Sequence, residues 1–320
     1  MKEIAIITGG DSAEYNISIA SANVVFNHLD RTKYHPTIIE IKDNKWQAKI
    51  NNKYIEVSME NFSINESIYF DFVFMALHGP PAENGAIQSY FDKLDIPYSS
   101  CSSSVSKLTF NKIECNKRLS SLGFKCAKSL SIKKPTNKNE EKIVKEIGLP
   151  CFVKPSQAGS SFGISKVTCR NKIKESIKYA LNYDTEILVE EFIEGIEVSC
   201  GVIKIKENIH VFPITEIVSE NEFFDYKAKY EGLSEEITPA RINNKLNVEI
   251  KNITKKIYQE MNLRGVCRID FIIQNQQPYI IEINTIPGLS EESIIPKQAK
   301  EENITLKELF NIWIENTMNK

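Results

Sequence analysis

Alternating apolar and polar positions near the C-terminus predict a β-hairpin. Two runs rich in isoleucine, valine and phenylalanine flank a short polar connection, Gln274–Pro278. Because side chains alternate along a strand, Arg268 and Asp270 share one face of the first run. Glu282 and Asn284 share one face of the second run. The hairpin therefore gathers an arginine, two carboxylates and a carboxamide on one face, among apolar neighbours.

This polar face has two interpretations. Charged groups inside a protein are costly unless they are paired, so an internal network of salt bridges is one interpretation. A site for a divalent cation is the other, because Mg²⁺ takes one or two carboxylates together with substrate phosphate oxygens. The spacing of the four residues does not choose between the two.

The N-terminal pattern predicts a parallel α/β unit. An apolar strand over residues 3–8 runs into the turn Gly9–Glu14, and a helix follows over Ser18–Leu29. Strand, glycine turn and helix begin a doubly wound sheet, which binds ligands at the carboxyl ends of its strands. The turn lacks the G-x-G-x-x-G pattern, so it does not indicate a dinucleotide site.

Further strands continue this unit. The patterns predict strands over Tyr34–Ile41 and Asp71–Leu77, a helix over Ala86–Leu94 and a short strand beginning at Ile96–Tyr98. The polar segment His78–Gly85 follows the second of these strands. It either binds a ligand at the sheet edge or holds His78 as a hydrogen-bonded structural histidine.

In the middle of the chain a single helix is predicted over Val105–Leu122, and it carries Lys112. A buried strand, Cys151–Pro155, then places Lys154 just before the small-residue segment Ser156–Gly163. Such a hairpin can lie close over phosphates, with the lysine supplying positive charge, or it can be an ordinary mobile hairpin. It is not a P-loop, because the lysine precedes the glycines.

The last part of the chain alternates strands and helices. A strand is predicted over Glu186–Phe192 and an antiparallel pair over Val198–Ile217. The aromatic, charged segment Phe223–Ser234 is typical of an active-site lid or of a packed surface loop. Helices are predicted over Asn244–Met261 and Leu306–Met318.

Composition narrows the class of protein. The 320 residues carry 42% hydrophobic and 26% charged side chains, as in ordinary globular enzymes. The net charge of −2 provides no basic surface for nucleic acid or an anionic membrane. Seven scattered cysteines without a C-x-x-C pair indicate thiols in a reducing compartment. Without an apolar run of membrane-spanning length, we expect a cytoplasmic protein.

Six motifs in this order resemble those of the D-alanine–D-alanine ligases, a family of ATP-grasp enzymes. The motifs are GGDSAE (9–14), LHGPPAENG (77–85), VKPSQAGSSFGISKV (153–167), LVEEFIEGIEVS (188–199), FDYKAKY (224–230) and RIDF with IIEINTIPGLS (268–290). The resemblance covers essentially the whole chain. It implies an α/β fold of the ATP-grasp type: a doubly wound N-terminal domain (1–100), a central domain (101–187) and a C-terminal domain (188–320), with ATP between the last two.

The resemblance also assigns residues to ATP and metal. Lys112 and Lys154 match lysines that contact the phosphates, Glu190 an acid near the adenine and Glu197 an acid on the ribose. The other expected ATP-binding residues are Ser160, Ser161 and Lys229. The ligands of two Mg²⁺ or Mn²⁺ ions would be Asp270, Glu282 and Asn284.

A second group of residues matches the family's substrate site. Arg268 and the backbone of Gly288 resemble the groups that polarise the reacting carboxylate, and Glu14 resembles the residue that holds the first D-alanine's ammonium group. Ser160 and Tyr230 resemble the partners of Glu14 in a hydrogen-bonded network. The remaining expected substrate contacts are His78, Lys229 and Ser293.

The resemblance implies an enzyme that joins two D-alanines through a D-alanyl phosphate for peptidoglycan precursor synthesis, and a homodimer. A ligase that joins D-alanine to D-lactate or D-serine is the enzymatic alternative. A nucleotide-binding regulatory protein without turnover is the non-enzymatic alternative. The Lys229–Tyr230 pair favours D-alanine as second substrate, by analogy with the family.

Overall fold

The computed structural model describes residues 1–51, 53–159, 162–219 and 234–318, and its strands form three sheets. The first sheet contains β1 (Lys2–Gly9), β2 (Tyr34–Lys42), β3 (Lys45–Ile50), β4 (Lys53–Ser58), β5 (Ser63–Ile64), β6 (Ile68–Tyr69) and β7 (Phe72–Met75). Their order across the sheet is β6-β5-β4-β3-β2-β1-β7. Helices α1 (Tyr15–His28) and α2 (Ala86–Lys93) belong to this part of the chain.

The centre of this sheet is parallel, as predicted. Strand β1 pairs in parallel with both β2 and β7, while β2 to β6 form an antiparallel extension. Ile4 and Ile6 face one hydrophobic cluster, whereas Ala5 and Ile7 face another, so both faces of β1 are buried. The predicted strand at Ile96–Tyr98 is wrong, because this segment contributes only an isolated bridge from Tyr98 to β7.

The second sheet is antiparallel. It contains β8 (Ser129–Ile132), β9 (Cys151–Pro155), β10 (Ser165–Val167) and β11 (Ile187–Glu191), in the order β10-β9-β11-β8. Four helices accompany it: α3 (Ser103–Phe110), α4 (Lys112–Ser121), α5 (Asn137–Glu146) and α6 (Ile173–Ala180), the last preceded by a 3₁₀ turn, Arg170–Lys172. Because β11 continues to Glu191, this sheet extends past residue 187, and the predicted domain limits stay a prediction.

The single helix predicted over 105–122 is wrong. Asn111 adopts an extended conformation (φ −82°, ψ 99°) between α3 and α4 and divides the segment into two helices. Its side chain accepts a hydrogen bond from the backbone N–H of Glu114 at 3.0 Å and caps α4. Lys112 therefore begins a helix rather than lying in the middle of one.

The third sheet carries the predicted hairpin. It contains β12 (Ile196–Ile205), β13 (Asn208–Ser219), β14 (Ser234–Ile237), β15 (Cys267–Gln274) and β16 (Gln277–Asn284), in the order β14-β13-β12-β15-β16. All its described pairs are antiparallel, and β15 and β16 form the hairpin, which is confirmed. The helices of this part are α7 (Asn244–Glu260), α8 (Ile294–Glu301) and α9 (Leu306–Met318).

The C-terminal part of the chain packs on the N-terminal sheet. Phe310 and Trp313 of α9 lie edge-on to Phe74 of β7, with ring centroids 5.6 and 4.9 Å away. Leu289, which follows β16, is buried in the same cluster. This packing brings the end of the hairpin to the carboxyl edge of the N-terminal strands. Across the described ranges, no helix is both long and apolar enough to cross a membrane.

Candidate active site

A cavity of about 560 Å³ lies where the three parts of the chain meet. Its walls include the turn before α1, the start of α4, the glycine-rich hairpin and the segment that follows β16. The predicted site residues along its wall are Glu14, His78, Lys112, Arg268, Glu282, Asn284, Gly288 and Ser293. Residues separated by most of the chain are therefore brought to one place.

The hairpin face gathers the four polar residues that its alternation predicted. Arg268 lies opposite Asn284 in the strand register, and Asp270 lies opposite Glu282. The amide nitrogen of Asn284 is 3.0 Å from Oδ2 of Asp270 and 3.4 Å from Oε1 of Glu282. A register shift directly after Asp270 marks a bulge, a feature that re-aims side chains next to active sites.

Asp270 is the most enclosed member of this group. Arg268 donates to it through two nitrogens, with Nε–Oδ1 at 2.9 Å and Nη2–Oδ2 at 2.8 Å, and the hydroxyl of Ser199 donates to Oδ1. A bidentate arginine orients the carboxylate as well as neutralising it. The salt-bridge network that the sequence allowed is therefore present.

The same group also suits a divalent cation. Within the described ranges, no group of three or more histidine, cysteine, aspartate and glutamate residues is arranged to hold a metal ion by itself. Asp270 and Glu282 nevertheless supply hard carboxylate oxygens on one face, bridged by the amide nitrogen of Asn284, and Mg²⁺ takes such oxygens together with phosphate oxygens. Burial, and after it the charges of Glu14 and Glu282, raise the pKa of Glu83 in the same cavity wall to about 8. The two carboxylates add a negative contribution that favours cations.

Lys154 and Glu190 form a second buried pair, in the second sheet. Lys154 lies on β9 and Glu190 on the adjacent strand β11, and their side chains make a salt bridge with only 9% of each exposed. Asn116 of α4 donates to the other oxygen of Glu190 at 2.6 Å. The sequence analysis did not identify Asn116, whose contact joins residues 74 positions apart.

Lys112 links α4 to the glycine-rich hairpin. Its ammonium group donates to the carbonyl oxygen of Ala158 at 2.7 Å, and its backbone N–H donates to the carbonyl oxygen of Ser156 at 3.0 Å. The hydroxyl of Ser156 in turn donates to Asn111 at 2.9 Å. The start of the hairpin is thus attached to the cap of α4.

The segment after α6 supports both ends of this hairpin. Asp184 accepts a hydrogen bond from the backbone N–H of Gln157 at 2.8 Å. At the other end, a Cβ atom on Gly163 would lie 2.8 Å from the ring of Tyr183, so the ring packs directly on this glycine. Neither Tyr183 nor Asp184 was predicted, because a Tyr-Asp pair after a helix carries no sequence signal of this contact.

Glu14 is the point at which three glycine-bearing segments meet. A Cβ atom on Gly159 would lie 2.6 Å from its Oε2 atom, and one on Gly79 would lie 3.0 Å away. Glycine is therefore needed at 159 for the hairpin to approach this carboxylate. Glu83, four residues beyond Gly79, was missed as a site residue, although an acid in the polar segment after β7 was a usable signal.

His78 lies in the cavity wall, but the protein occupies both of its ring nitrogens. Nε2 is 2.9 Å from the hydroxyl of Ser21, and Nδ1 is 2.9 Å from the carbonyl oxygen of Ile286. Burial lowers its pKa, so the ring is held neutral. These contacts favour the interpretation of His78 as a hydrogen-bonded structural histidine over direct contact with a substrate.

Gly288 and Ser293 lie together in the cavity wall, since a Cβ atom on Gly288 would lie 2.8 Å from the Ser293 hydroxyl. The remaining predicted residues do not line this cavity or lie outside the described residues. Glu197 is the second residue of β12, opposite Ile272 of β15. Ser160, Ser161, Lys229 and Tyr230 lie outside the described residues, as do residues 220–233 of the predicted lid.

Two antiparallel sheets border the cavity, one with a lysine–glutamate pair and a glycine-rich hairpin, the other with a cluster of oxygen ligands. This arrangement defines an enzyme of the ATP-grasp class. The family models of the N-terminus and C-terminus of D-Ala–D-Ala ligase match residues 3–101 and 118–315. The chain belongs to the D-alanine–D-alanine ligase family.

Three relatives illustrate the similarity. A D-alanine–D-alanine ligase of Flavobacterium johnsoniae is 48% identical over 319 residues, covering 98% of this chain and 99% of the relative. The crystal structure of VanG D-Ala:D-Ser ligase from Enterococcus faecalis has a TM-score of 0.86 and 31% identity, covering 98% of each chain. That of D-alanine–D-alanine ligase from Bacillus anthracis complexed with ATP has a TM-score of 0.81 and 25% identity, covering 100% of this chain and 98% of that one.

Proposed function

We propose that this enzyme joins two molecules of D-alanine at the expense of ATP, for peptidoglycan precursor synthesis. The observation that carries the proposal is the meeting of Glu14, Arg268, Glu282 and Gly288 around one cavity. Glu14 is opposite in charge to an ammonium group, and Arg268 and Lys112 are opposite in charge to a carboxylate and a phosphoryl group. Membership of the D-alanine–D-alanine ligase family supports the same substrates.

The first step activates a carboxylate, which is a poor electrophile. A carboxylate oxygen of the first D-alanine attacks the γ-phosphorus of ATP, the bond to the bridging oxygen breaks, and D-alanyl phosphate and ADP result. Glu14 would hold the ammonium group of this D-alanine. Lys112 and Lys154 would neutralise the phosphates, because two anions must approach each other.

In the second step the uncharged amine of the second D-alanine attacks the acyl carbon, which forms a tetrahedral oxyanion. The oxyanion collapses with loss of phosphate, and the nitrogen gives up its extra proton. Arg268 and the backbone N–H of Gly288 would stabilise the oxyanion, as preorganised donors do. Ser293 and Lys229 would hold the carboxylate of this substrate.

Asp270, Glu282 and Asn284 would hold Mg²⁺ or Mn²⁺, which would neutralise charge on the transferred phosphoryl group. Their oxygens suit such an ion, and the raised pKa of Glu83 supports a negative field there. Ion binding at Asp270 would compete with its two bonds from Arg268. Arg268 would then be available to the reacting carboxylate.

A D-alanine–D-serine ligase is the second candidate. The similarity to the VanG D-Ala:D-Ser ligase favours it, since that protein is 31% identical to this chain. The identity of 48% to a D-alanine–D-alanine ligase favours D-alanine more strongly. The pair that would discriminate them, Lys229 and Tyr230, lies outside the described residues.

A competition experiment tests the proposal. The purified chain is given ATP, Mg²⁺ and D-alanine with equal D-serine or D-lactate, and the products are separated by mass. D-alanyl-D-alanine as the main product supports the proposal, and D-alanyl-D-serine or the D-lactate ester would replace it with the corresponding alternative. L-alanine serves as the control, and ATP binding without any product would favour the regulatory protein.

Location and assembly are part of the proposal. The reaction consumes ATP and the seven cysteines are free thiols, which supports a cytoplasmic enzyme. A homodimer follows from the family resemblance. Light scattering of the eluted protein tests it, and a mass equal to one chain of 36.5 kDa would contradict it.

A further inference from the structure

The segment from Ile286 to Leu289 passes from the third sheet to the N-terminal sheet, and its two ends are buried on opposite sides of that sheet. Ile286 lies in a cluster with Ile7 and Met75, whereas Leu289 lies in the cluster that contains Phe72. Both side chains are at most 3% exposed. The short backbone between them, which includes Gly288, is therefore fixed at both ends by packing.

Hydrogen bonds fix the same two ends. The backbone N–H of Leu289 donates to the hydroxyl oxygen of Ser21 at 3.2 Å. That hydroxyl is 2.9 Å from Nε2 of His78, and Nδ1 of His78 is 2.9 Å from the carbonyl oxygen of Ile286. One connected chain of bonds thus runs from Leu289 through α1 and the end of the first sheet back to Ile286.

The chemistry of the groups sets the direction of each bond. The carbonyl oxygen of Ile286 only accepts, so Nδ1 of His78 carries the proton. In a neutral ring Nε2 then accepts, and the Ser21 hydroxyl donates to it while accepting from Leu289. Every member has its partner, although Ser21 is fully buried and His78 only 4% exposed. A complete buried network of this kind is rigid.

We propose that Ser21 and His78 are positioning residues that hold the Ile286–Leu289 segment so that the N–H of Gly288 points at the reacting carbonyl. The inference rests on the proposed function, which gives this N–H its role at the oxyanion. Neither residue touches the reacting atoms. They fix the position of the Gly288 N–H, because glycine has no side chain that could anchor it.

The size of the expected effect follows from the dependence of kcat on the position of such donors. Loss of one donor to an oxyanion lowers kcat by about 10²- to 10³-fold, and a shift of about 1 Å can cost about 10²-fold. Ser21→Ala removes the middle of the chain of bonds without adding bulk. We expect kcat to fall by about 10- to 100-fold, with the KM for ATP changed by less than about twofold, because ATP is bound by other residues.

Two substitutions of His78 separate its contacts. His78→Gln can place an amide near Nε2 and keep the bond to Ser21, whereas His78→Asn can place one near Nδ1 and keep the bond to Ile286. Each keeps one contact, so each should lose less activity than His78→Ala. These variants also provide the test if Ser21→Ala does not fold.

Tyr258→Phe is the matched control. The hydroxyl of Tyr258 donates to the carbonyl oxygen of Gly265 at 2.8 Å, so this is another buried hydrogen bond, in a hydrophobic cluster that does not contain Leu289 and away from the cavity. The control should lower Tm without lowering kcat. A loss of kcat in Tyr258→Phe equal to that in Ser21→Ala would overturn the proposal, as would Ser21→Ala with kcat within twofold of the parent.

Amide hydrogen exchange measures positioning without turnover. Ser21→Ala should speed exchange in the peptide that contains Leu289, and Tyr258→Phe should not. If the parent makes no dipeptide, the proposed function fails, and the exchange result still decides the anchoring. Unchanged exchange at Leu289 in Ser21→Ala and His78→Ala would overturn it.

Discussion

The Lys154–Glu190 and Arg268–Asp270 pairs each join a cation to a carboxylate on a sheet, but they differ in their surroundings. Both are buried, with 9% of each side chain exposed in the first pair and 17% and 7% in the second. The first joins one cation to one anion, and Asn116 supplies an amide to the same carboxylate. The second stands beside a further carboxylate, Glu282, on a cavity.

The charge around the second pair shows what the difference means. Among the described lining residues of the cavity, glutamates outnumber the cations, which are Lys112 and Arg268. Two of these glutamates, Glu14 and Glu282, add to the effect of burial in raising the pKa of Glu83. A buried pair that balances its charges can serve structure, whereas a negative cluster on a cavity favours incoming cations.

The largest expected effect is at the hairpin. Asp270→Asn keeps the shape of the side chain but removes its charge, so it should weaken the binding of a cation and remove the negative charge that Asp270 presents to Arg268. We expect kcat to fall by about 10³-fold or more, since charge neutralisation by a metal is worth several kcal/mol. Phosphate release measures kcat, and circular dichroism tests whether the fold is kept. Activity within tenfold of the parent would contradict the metal assignment.

The next largest effect is on stability, at the Lys154–Glu190 pair. Lys154→Met leaves Glu190 charged in a buried place, and we expect unfolding to become easier by about 3–5 kcal/mol. The double variant Lys154→Met/Glu190→Gln removes both charges and should recover most of that stability. Urea unfolding measures both.

The same double variant separates ATP binding from stability. Its KM for ATP should stay high although its stability returns, because the phosphate-binding charge is still missing. A double variant that binds ATP like the parent would leave the pair with a structural role alone. Removing both charges of the second pair, at Arg268 and Asp270, should not restore stability in this way, because the charge of Glu282 remains beside them.

Glu83 gives a prediction in pH. Its folded pKa, about 8, is above the usual 4.5, so the folded state binds more protons and loses stability as pH rises between these values. Glu83→Gln removes this loss. Its Tm relative to the parent should therefore rise from about pH 5 to about pH 8 in metal-free buffer. A difference in Tm that does not change with pH would contradict the raised pKa of Glu83.

The smallest effect concerns the support of the glycine-rich hairpin. Asp184→Ala removes the acceptor for the N–H of Gln157 and should raise the KM for ATP by about fivefold, as expected for one exposed hydrogen bond. Asp184→Asn keeps an acceptor oxygen and is the control. Equal KM values in the parent and Asp184→Ala would show that Asp184 does not position this hairpin.

Local patterns in the sequence predicted the features that depend on neighbouring residues. The hairpin, the parallel start of the N-terminal sheet and the face shared by Asp270 and Glu282 all follow from alternation over a few positions. The break at Asn111 was also local, since an asparagine three residues before Glu114 is a capping signal. Helical periodicity outweighed that signal and led to one helix instead of two.

Contacts between distant residues could not be predicted in this way. His78 meets Ile286 across 208 positions, and Gly159 approaches Glu14 from another sheet. Ser21 carries no chemical signal in sequence, because a serine on a helix resembles any small packing residue. The resemblance to the family predicts which groups react, whereas the contacts of the residues around them became visible only in the fold.

The amount of ADP formed for each dipeptide, measured while Mg²⁺ is titrated, tests the proposed reaction most directly. With ATP and D-alanine in excess, we expect one ADP for each D-alanyl-D-alanine, no product in the presence of a chelator and recovery when the ion is restored. ADP formed without dipeptide, or dipeptide formed at an undiminished rate with the chelator present, would contradict it.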